Sequence, residues 1–356
     1  MEENNFTSGG GYTPYPAYQP CGQGGGLRFA PVSPEEKRAI KKNYSGAFWQ
    51  AVIHSVGSLV LANIIFVSMT LSGYEFRLND EGTQIIDTPY AIAAMLPSIV
   101  FCISLFLFDK GSSKNKLSDY FRSDRITAGT VFGFFGILML VYTICIILQQ
   151  ILLTGCFAAG FSPLKEEYLS EDDLSVAYLV WDFILGSLLA PIGEELFFRG
   201  VILRRLSTVS QRFAIFVSAL IFGMMHGNLL QTILGFGIGV VFAYTAVKTG
   251  SLILPVAGHI FINTAALSST VVTYLTDEDT ANAYWLGLLG VFFVIGMAAL
   301  IIVLLKKKIS FPRSTEYHSK RTFPIMLACV SFWVMAAVYV IDIVTKFGPV
   351  TDKLLE

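Results

Sequence analysis

Nine apolar runs alternate with short polar segments along the chain, near residues 47–72, 88–108, 127–153, 176–205, 213–226, 229–247, 251–273, 284–305 and 324–345. A helix needs roughly 20 apolar residues to cross a hydrocarbon core of about 30 Å, and most of these runs meet or approach that length. The fifth is short, which implies tilt, a half-span or an earlier start. The pattern predicts an all-α fold: a polytopic transmembrane helical bundle of about eight to nine spans with a disordered N-terminal tail. The tail is expected over residues 1–45, where Gly, Tyr and Pro interleave as in Gly9-Gly10-Gly11-Tyr12-Thr13-Pro14 and no core can be buried. Ser33-Pro34-Glu35-Glu36 reads as a helix start with Pro at the first helical position. Beyond the tail, the chain divides into N-terminal spans over 46–165, a core over 166–275 and C-terminal spans with a tail over 276–356.

The polar segments carry alternating charge. Lys37, Arg38, Lys41 and Lys42 precede the first run; Lys110, Lys114, Lys116, Arg122 and Arg125 follow the second. Arg204, Arg205 and Arg212 lie at the end of the fourth, and Lys306, Lys307, Lys308, Arg313, Lys320 and Arg321 follow the eighth. The intervening loops are acidic: Glu75, Asp80 and Glu81; Glu166, Glu167, Glu171, Asp172 and Asp173; Asp277, Glu278 and Asp279. Basic loops stay in the cytoplasm, so the N-terminus is expected there and, with nine spans, the C-terminus outside. The polar N-terminus and the late, long first run read as no cleavable signal peptide. The short basic loops and plain tail point to a bacterial cell membrane.

Composition narrows the class further. Hydrophobic residues make up 54% and charged ones 14%, which fits an integral membrane protein, and a net charge of -1 gives no pull toward nucleic acid. Cys21, Cys102, Cys145, Cys156 and Cys329 are scattered singly, so neither a disulfide framework nor a cysteine zinc site is expected. His54 and His318 stand alone and read as structural.

The fourth run holds the chemistry: Pro191-Ile192-Gly193-Glu194-Glu195-Leu196-Phe197-Phe198-Arg199-Gly200. Each charge at mid-membrane costs roughly 2.5–3.5 kcal/mol, so three in six residues call for a use. Glu195 and Arg199 are four apart and can form a supporting ion pair on one helical face. Glu194 is left over, about 100° around the helix. An unpaired carboxylate in a low-dielectric site is a candidate general base. Pro191 and Gly193 are expected to break or kink the helix, which would set Glu194 on the first turn of a new piece. The plain alternative is a buried ion pair beside one carboxylate at a wet helix end.

Two further runs carry polar residues. The fifth contains Phe222-Gly223-Met224-Met225-His226, and the seventh Gly258-His259-Ile260-Phe261-Ile262-Asn263, in which His259 and Asn263 share a face. Counted from the basic ends at 1.5 Å per residue, Glu194 and His259 lie about 15 and 14 Å deep, and His226 about 17–21 Å depending on tilt. Those depths permit convergence. Such a set supports hydrolysis: Glu194 takes a proton from water, His226 holds that water, and His259 with Asn263 faces the oxyanion. A metal version is open too, with Glu194, His226 and His259 as zinc ligands. No cofactor is preferred over zinc-assisted chemistry by spacing alone, but neither His has an evident acidic partner to orient it, which favours the metal-free form. His-Glu-x-x-His, Gly-x-Ser-Gly and Gly-x-Gly-Asp, the signatures of other intramembrane proteases, do not occur.

Glu-Glu-x-x-x-Arg (Glu194 to Arg199), Phe-x-x-x-His (Phe222 to His226) and His-x-x-x-Asn (His259 to Asn263), in that order on three spans, resemble the CPBP family of CAAX-processing type II proteases and bacteriocin-processing (Abi) proteins. The resemblance covers roughly residues 175–270. It implies an α-helical intramembrane endopeptidase, often called a metalloprotease, acting on membrane-associated peptides or protein tails. It also implies Glu194 as base, His226 as its partner and His259 with Asn263 at the oxyanion. The rivals are a non-catalytic transporter, which also keeps polar residues at mid-membrane, and an immunity or scaffold protein that binds without cutting.

Overall fold

The computed structural model describes residues 34–77, 88–111, 115–163, 175–207, 210–306 and 319–349. His318, Cys21, residues 1–33 of the expected tail and most of the acidic loop after the third run lie outside them. In chain order the elements are α1 (Pro34–Leu71), α2 (Thr88–Gly111), a 3-10 turn (Leu117–Tyr120), α3 (Ala128–Ala158), β1 (Phe161–Ser162) and α4 (Val176–Ser207). There follow α5 (Gln211–Met224), α6 (Leu229–Thr249), α7 (Ile253–Leu275), α8 (Glu278–Leu305), α9 (Ser319–Leu327), α10 (Val330–Thr345) and β2 (Gly348–Pro349). Among the described residues, seven helices are long and apolar enough to cross a membrane, and α5 and α10 are shorter apolar helices. The fold is the expected all-α polytopic bundle. The first helix begins at Pro34, the predicted start, and so enters the segment expected as tail; its Ile40 and Tyr44 are buried.

Local chemistry sets the ends. The Thr127, Ser210, Asn228 and Asp277 side chains each accept from the backbone N–H three residues on, capping α3, α5, α6 and α8. Gly250, at φ 69°, closes α6 in the left-handed conformation that glycine adopts without strain. The ninth run breaks at Cys329, between α9 and α10.

One two-stranded bridge bears on topology. Phe161 and Ser162 pair antiparallel with Pro349 and Gly348, so the ends of α3 and α10 meet. Both ends therefore lie on one side of the bundle. An even number of crossings must separate them. At the opposite side Asp109, at the end of α2, is buried and pairs with Arg204 and Arg205 at the end of α4.

α4 runs through the middle, against α2, α5 and α7. α1 packs on α2 and α10, while α3 packs on α6 and α8. α5 and α6 form a hairpin at near-backbone contact. A Cβ at Gly223 would stand 2.5 Å from the Thr232 carbonyl oxygen and 2.8 Å from the Phe236 nitrogen; one at Gly235 would stand 2.8 Å from the Gly223 Cα. One turn back, Ala219 faces Gly239. Small residues at four-residue spacing on both helices let the backbones approach without side chains between them. Gly223→Val is therefore expected to push α5 off α6, costing about 1–3 kcal/mol as overpacking. Thermal unfolding in detergent micelles checks it, with Gly287→Val, where nothing lies within 4 Å, as the neutral control.

Candidate active site

α4 does not break at Pro191. Its turns widen instead: residues 183–189 and 198–203 are π-helical, with an α-helical stretch Ala190–Phe197 between them. The expected break is absent, and Glu194 does not sit on a fresh N-terminus, because the helix runs without interruption from Val176 to Ser207. The physical reason lies in the ladder. In the first wide stretch the Ala190 N–H reaches back five residues to the Leu185 carbonyl. The next bond in that pattern would join residue 191 to the Gly186 carbonyl, and Pro191 has no N–H to give. Asn263 of α7 fills the vacancy, its Nδ2 donating to the Gly186 oxygen at 2.9 Å. Proline and asparagine thus dock α7 onto α4 together.

The two neighbouring glutamates meet different surroundings. Glu195 is fully buried, and its Oε1 lies 2.9 Å from the Arg199 guanidinium, itself 1% exposed. Arg199 also donates to the Gly239 carbonyl at 3.3 Å. It lies over the faces of Phe222 (4.3 Å) and Phe242 (5.2 Å). Glu194 keeps 13% exposure and stands at the edge of this sealed cluster.

His259 lies between the two acids. Its Nδ1 is 3.1 Å from Glu195 Oε1, and its Nε2 is 3.7 Å from Glu194 Oε2. The ring is fixed edge-on to Phe222 and tilted against Phe242, at centroid distances of 5.5 and 5.3 Å. Oε1 of Glu195, ion-paired to Arg199, accepts from Nδ1–H, which sets the tautomer. Nε2 faces Glu194 Oε2 across 3.7 Å.

His226 is placed differently from the sequence expectation. α5 ends at Met224, and His226 belongs to the turn into α6. Its Nδ1 lies 2.9 Å from the Phe222 carbonyl oxygen, which can only accept, so Nδ1 carries the proton and Nε2 of the neutral ring is an acceptor. Gly227 follows at φ 70°, and the Asp342 carboxylate of α10 stands 2.5 Å from where its Cβ would be. No ion pair within 4.0 Å joins His226 to Glu194; the imidazole beside Glu194 belongs to His259. Among the described residues no three His, Cys, Asp or Glu side chains cluster closely enough to hold a metal. Both nitrogens of His259 already face carboxylates. Glu194, His226 and His259 are therefore not brought together as a zinc ligand set.

The Gly186 carbonyl and the aromatic frame of Phe222 and Phe242 were not foreseen. The first is readable only once α4 is known to be π-wound, since only then does Pro191 orphan a carbonyl five residues earlier. Asn263→Ala is expected to leave that carbonyl bare, costing about 1–3 kcal/mol. In a Pro191→Ala background the restored N–H can take the bond, so the cost of Asn263→Ala should shrink; a double-mutant cycle on thermal unfolding reads the difference. A cavity of about 530 Å³ between α3, α6 and α8 is separate from this cluster. Phe134, which lines it, and Phe242 stand between it and His259.

Residues 176–265, about a quarter of the chain, match the family described as type II CAAX prenyl endopeptidase Rce1-like. Over 101 residues the chain is 33% identical to the Bacillus subtilis protein described as "Putative membrane peptidase YdiL". That alignment covers 27% of this chain and 41% of the relative, so the chain spans about two-fifths of the curated relative's length. No solved structure matches. The matched stretch contains α4 from its first turn and runs through Asn263, which is the whole of the cluster described above. Over residues 176–265, which enclose the three polar motifs, the chain is similar to the type II CAAX prenyl endopeptidase Rce1-like family.

Proposed function

We propose that the protein is an intramembrane endopeptidase that hydrolyses peptide bonds of membrane-associated peptides or protein tails. The observation that carries this reading is the unequal pair. Glu195 is tied to Arg199 and sealed, while Glu194 is partly exposed with an imidazole 3.7 Å away. Glu194 takes a proton from a water as the water oxygen bonds to the scissile carbonyl carbon. The carbonyl becomes a tetrahedral oxyanion. The proton then passes to the amide nitrogen, the C–N bond breaks, and carboxylate and amine leave. His259, held by Glu195, stands beside the Glu194 carboxylate, its Nε2 3.7 Å from Oε2. The acceptor Nε2 of His226 suits a hydrogen bond from the attacking water. Asn263 keeps a second N–H, beyond the one given to Gly186, for the oxyanion. No metal is needed in this scheme.

The test is to purify wild type and Glu194→Gln in parallel, challenge both with a library of membrane peptides and assay bound zinc. Cleavage specific to the wild type supports the reading. Equal processing by both proteins ends it. Stoichiometric zinc that is lost in His226→Ala would replace the metal-free scheme with a metal-dependent one.

A further inference from the structure

The inner face of α1 carries polar groups that the proposed chemistry has not used. Gln50, His54 and Ser58 are four apart and stack as one stripe about 12 Å long. Gln50 is 7% exposed and His54 4%. His54 Nε2 lies 3.1 Å from the Ser98 hydroxyl of α2. The His54 ring stacks on Phe197 at 5.3 Å, with 20° between planes, and meets Phe198 edge-on at 6.2 Å. Phe197 is three residues beyond Glu194, and Gly193, just before it, lies flush on α2 at Cys102 and Ile99. The middle of the stripe, at His54, therefore packs against Phe197 and Phe198 on the turn of α4 that follows Glu194.

Several of its polar atoms have no hydrogen-bond partner. They are Gln50 Oε1, His54 Nδ1 and Ser58 Oγ, all shut away from the outside. Each such atom left bare costs about 1–3 kcal/mol. Ordered water, typically making about three hydrogen bonds, is what usually satisfies buried polar groups of this kind. A hydrolase in lipid also has a supply problem, since each bond cut consumes one water and hydrocarbon provides none.

We propose that the Gln50–His54–Ser58 stripe, with Ser98, holds a file of ordered water that supplies the Glu194 carboxylate. This rests on the endopeptidase reading for what the water is used for, but not for its presence. The file is held by α1 and α2, outside the stretch that matches the Rce1-like family.

Radiolytic hydroxyl-radical footprinting in lipid nanodiscs tests it, because radicals formed from buried water oxidise the side chains it touches. His54 and Phe197 are expected to be labelled in wild type and equally in Glu194→Gln. In Gln50→Leu/Ser58→Ala the Phe197 label should fall and kcat should drop about tenfold with KM kept. An unlabelled His54 and Phe197 in wild type would overturn the proposal. So would a double variant that cleaves at the wild-type kcat, which would make the water mere filling. A wild type that cuts nothing would overturn the supply role together with the endopeptidase reading, while the labelling still decides whether the stripe is wet.

Discussion

Arg199→Leu is expected to destabilise the protein by about 3–5 kcal/mol, the cost of removing one partner from a buried ion pair. Glu195 would remain fully buried, with only His259 beside it. The faces of Phe222 and Phe242 would lose the cation packed over them, and the Gly239 carbonyl would lose a donor. Arg199→Lys keeps the charge but not the planar fork, so it should fall between the two. Thermal unfolding of the purified variants, followed by monodispersity in detergent, reads the series. Because Glu195 sets the His259 tautomer, cleavage should fall in step with stability even at temperatures where the variants stay folded.

Glu194→Gln is expected to do the reverse. The change is isosteric, and the carboxylate it removes is 13% exposed and belongs to no closed ion pair, so unfolding should move by no more than about 0.5 kcal/mol. Hydrolysis should fall by about 10²–10⁴-fold, the usual contribution of a positioned general base. Turnover of a cleavable membrane peptide, normalised to folded protein, measures it. Adjacent residues of the same type would then differ in kind: one holds the bundle and the other does the chemistry.

Much of this was legible beforehand because the bilayer makes errors expensive. Nine apolar runs marked the apolar helices, although α1 starts at Pro34, well before the first run, and the ninth run is split at Cys329; alternating charge agrees with the strand bridge that joins the ends of α3 and α10. The i,i+4 spacing of Glu195 and Arg199 brings them to 2.9 Å. What could not be read was geometry that depends on winding. Pro191 suggested a break because a proline in an α-helix normally forces one. Here the preceding turns were already π-wound, and a side chain from another helix took up the orphaned carbonyl. The apolar run counted His226 into the fifth helix, whereas α5 ends at Met224 and His226 lies in the turn that follows. His54 looked solitary because its partners, Ser98 and Phe197, are distant in sequence.

If Glu194 is the general base, it activates water and does not itself attack the peptide bond. A single turnover with enzyme in excess, run in water enriched in oxygen-18, separates the two. The account predicts one labelled oxygen in the new carboxyl group of the product and none in the Glu194 side chain. Label recovered in Glu194, with an unlabelled product, would mean that the carboxylate attacks the carbonyl directly, and would contradict it.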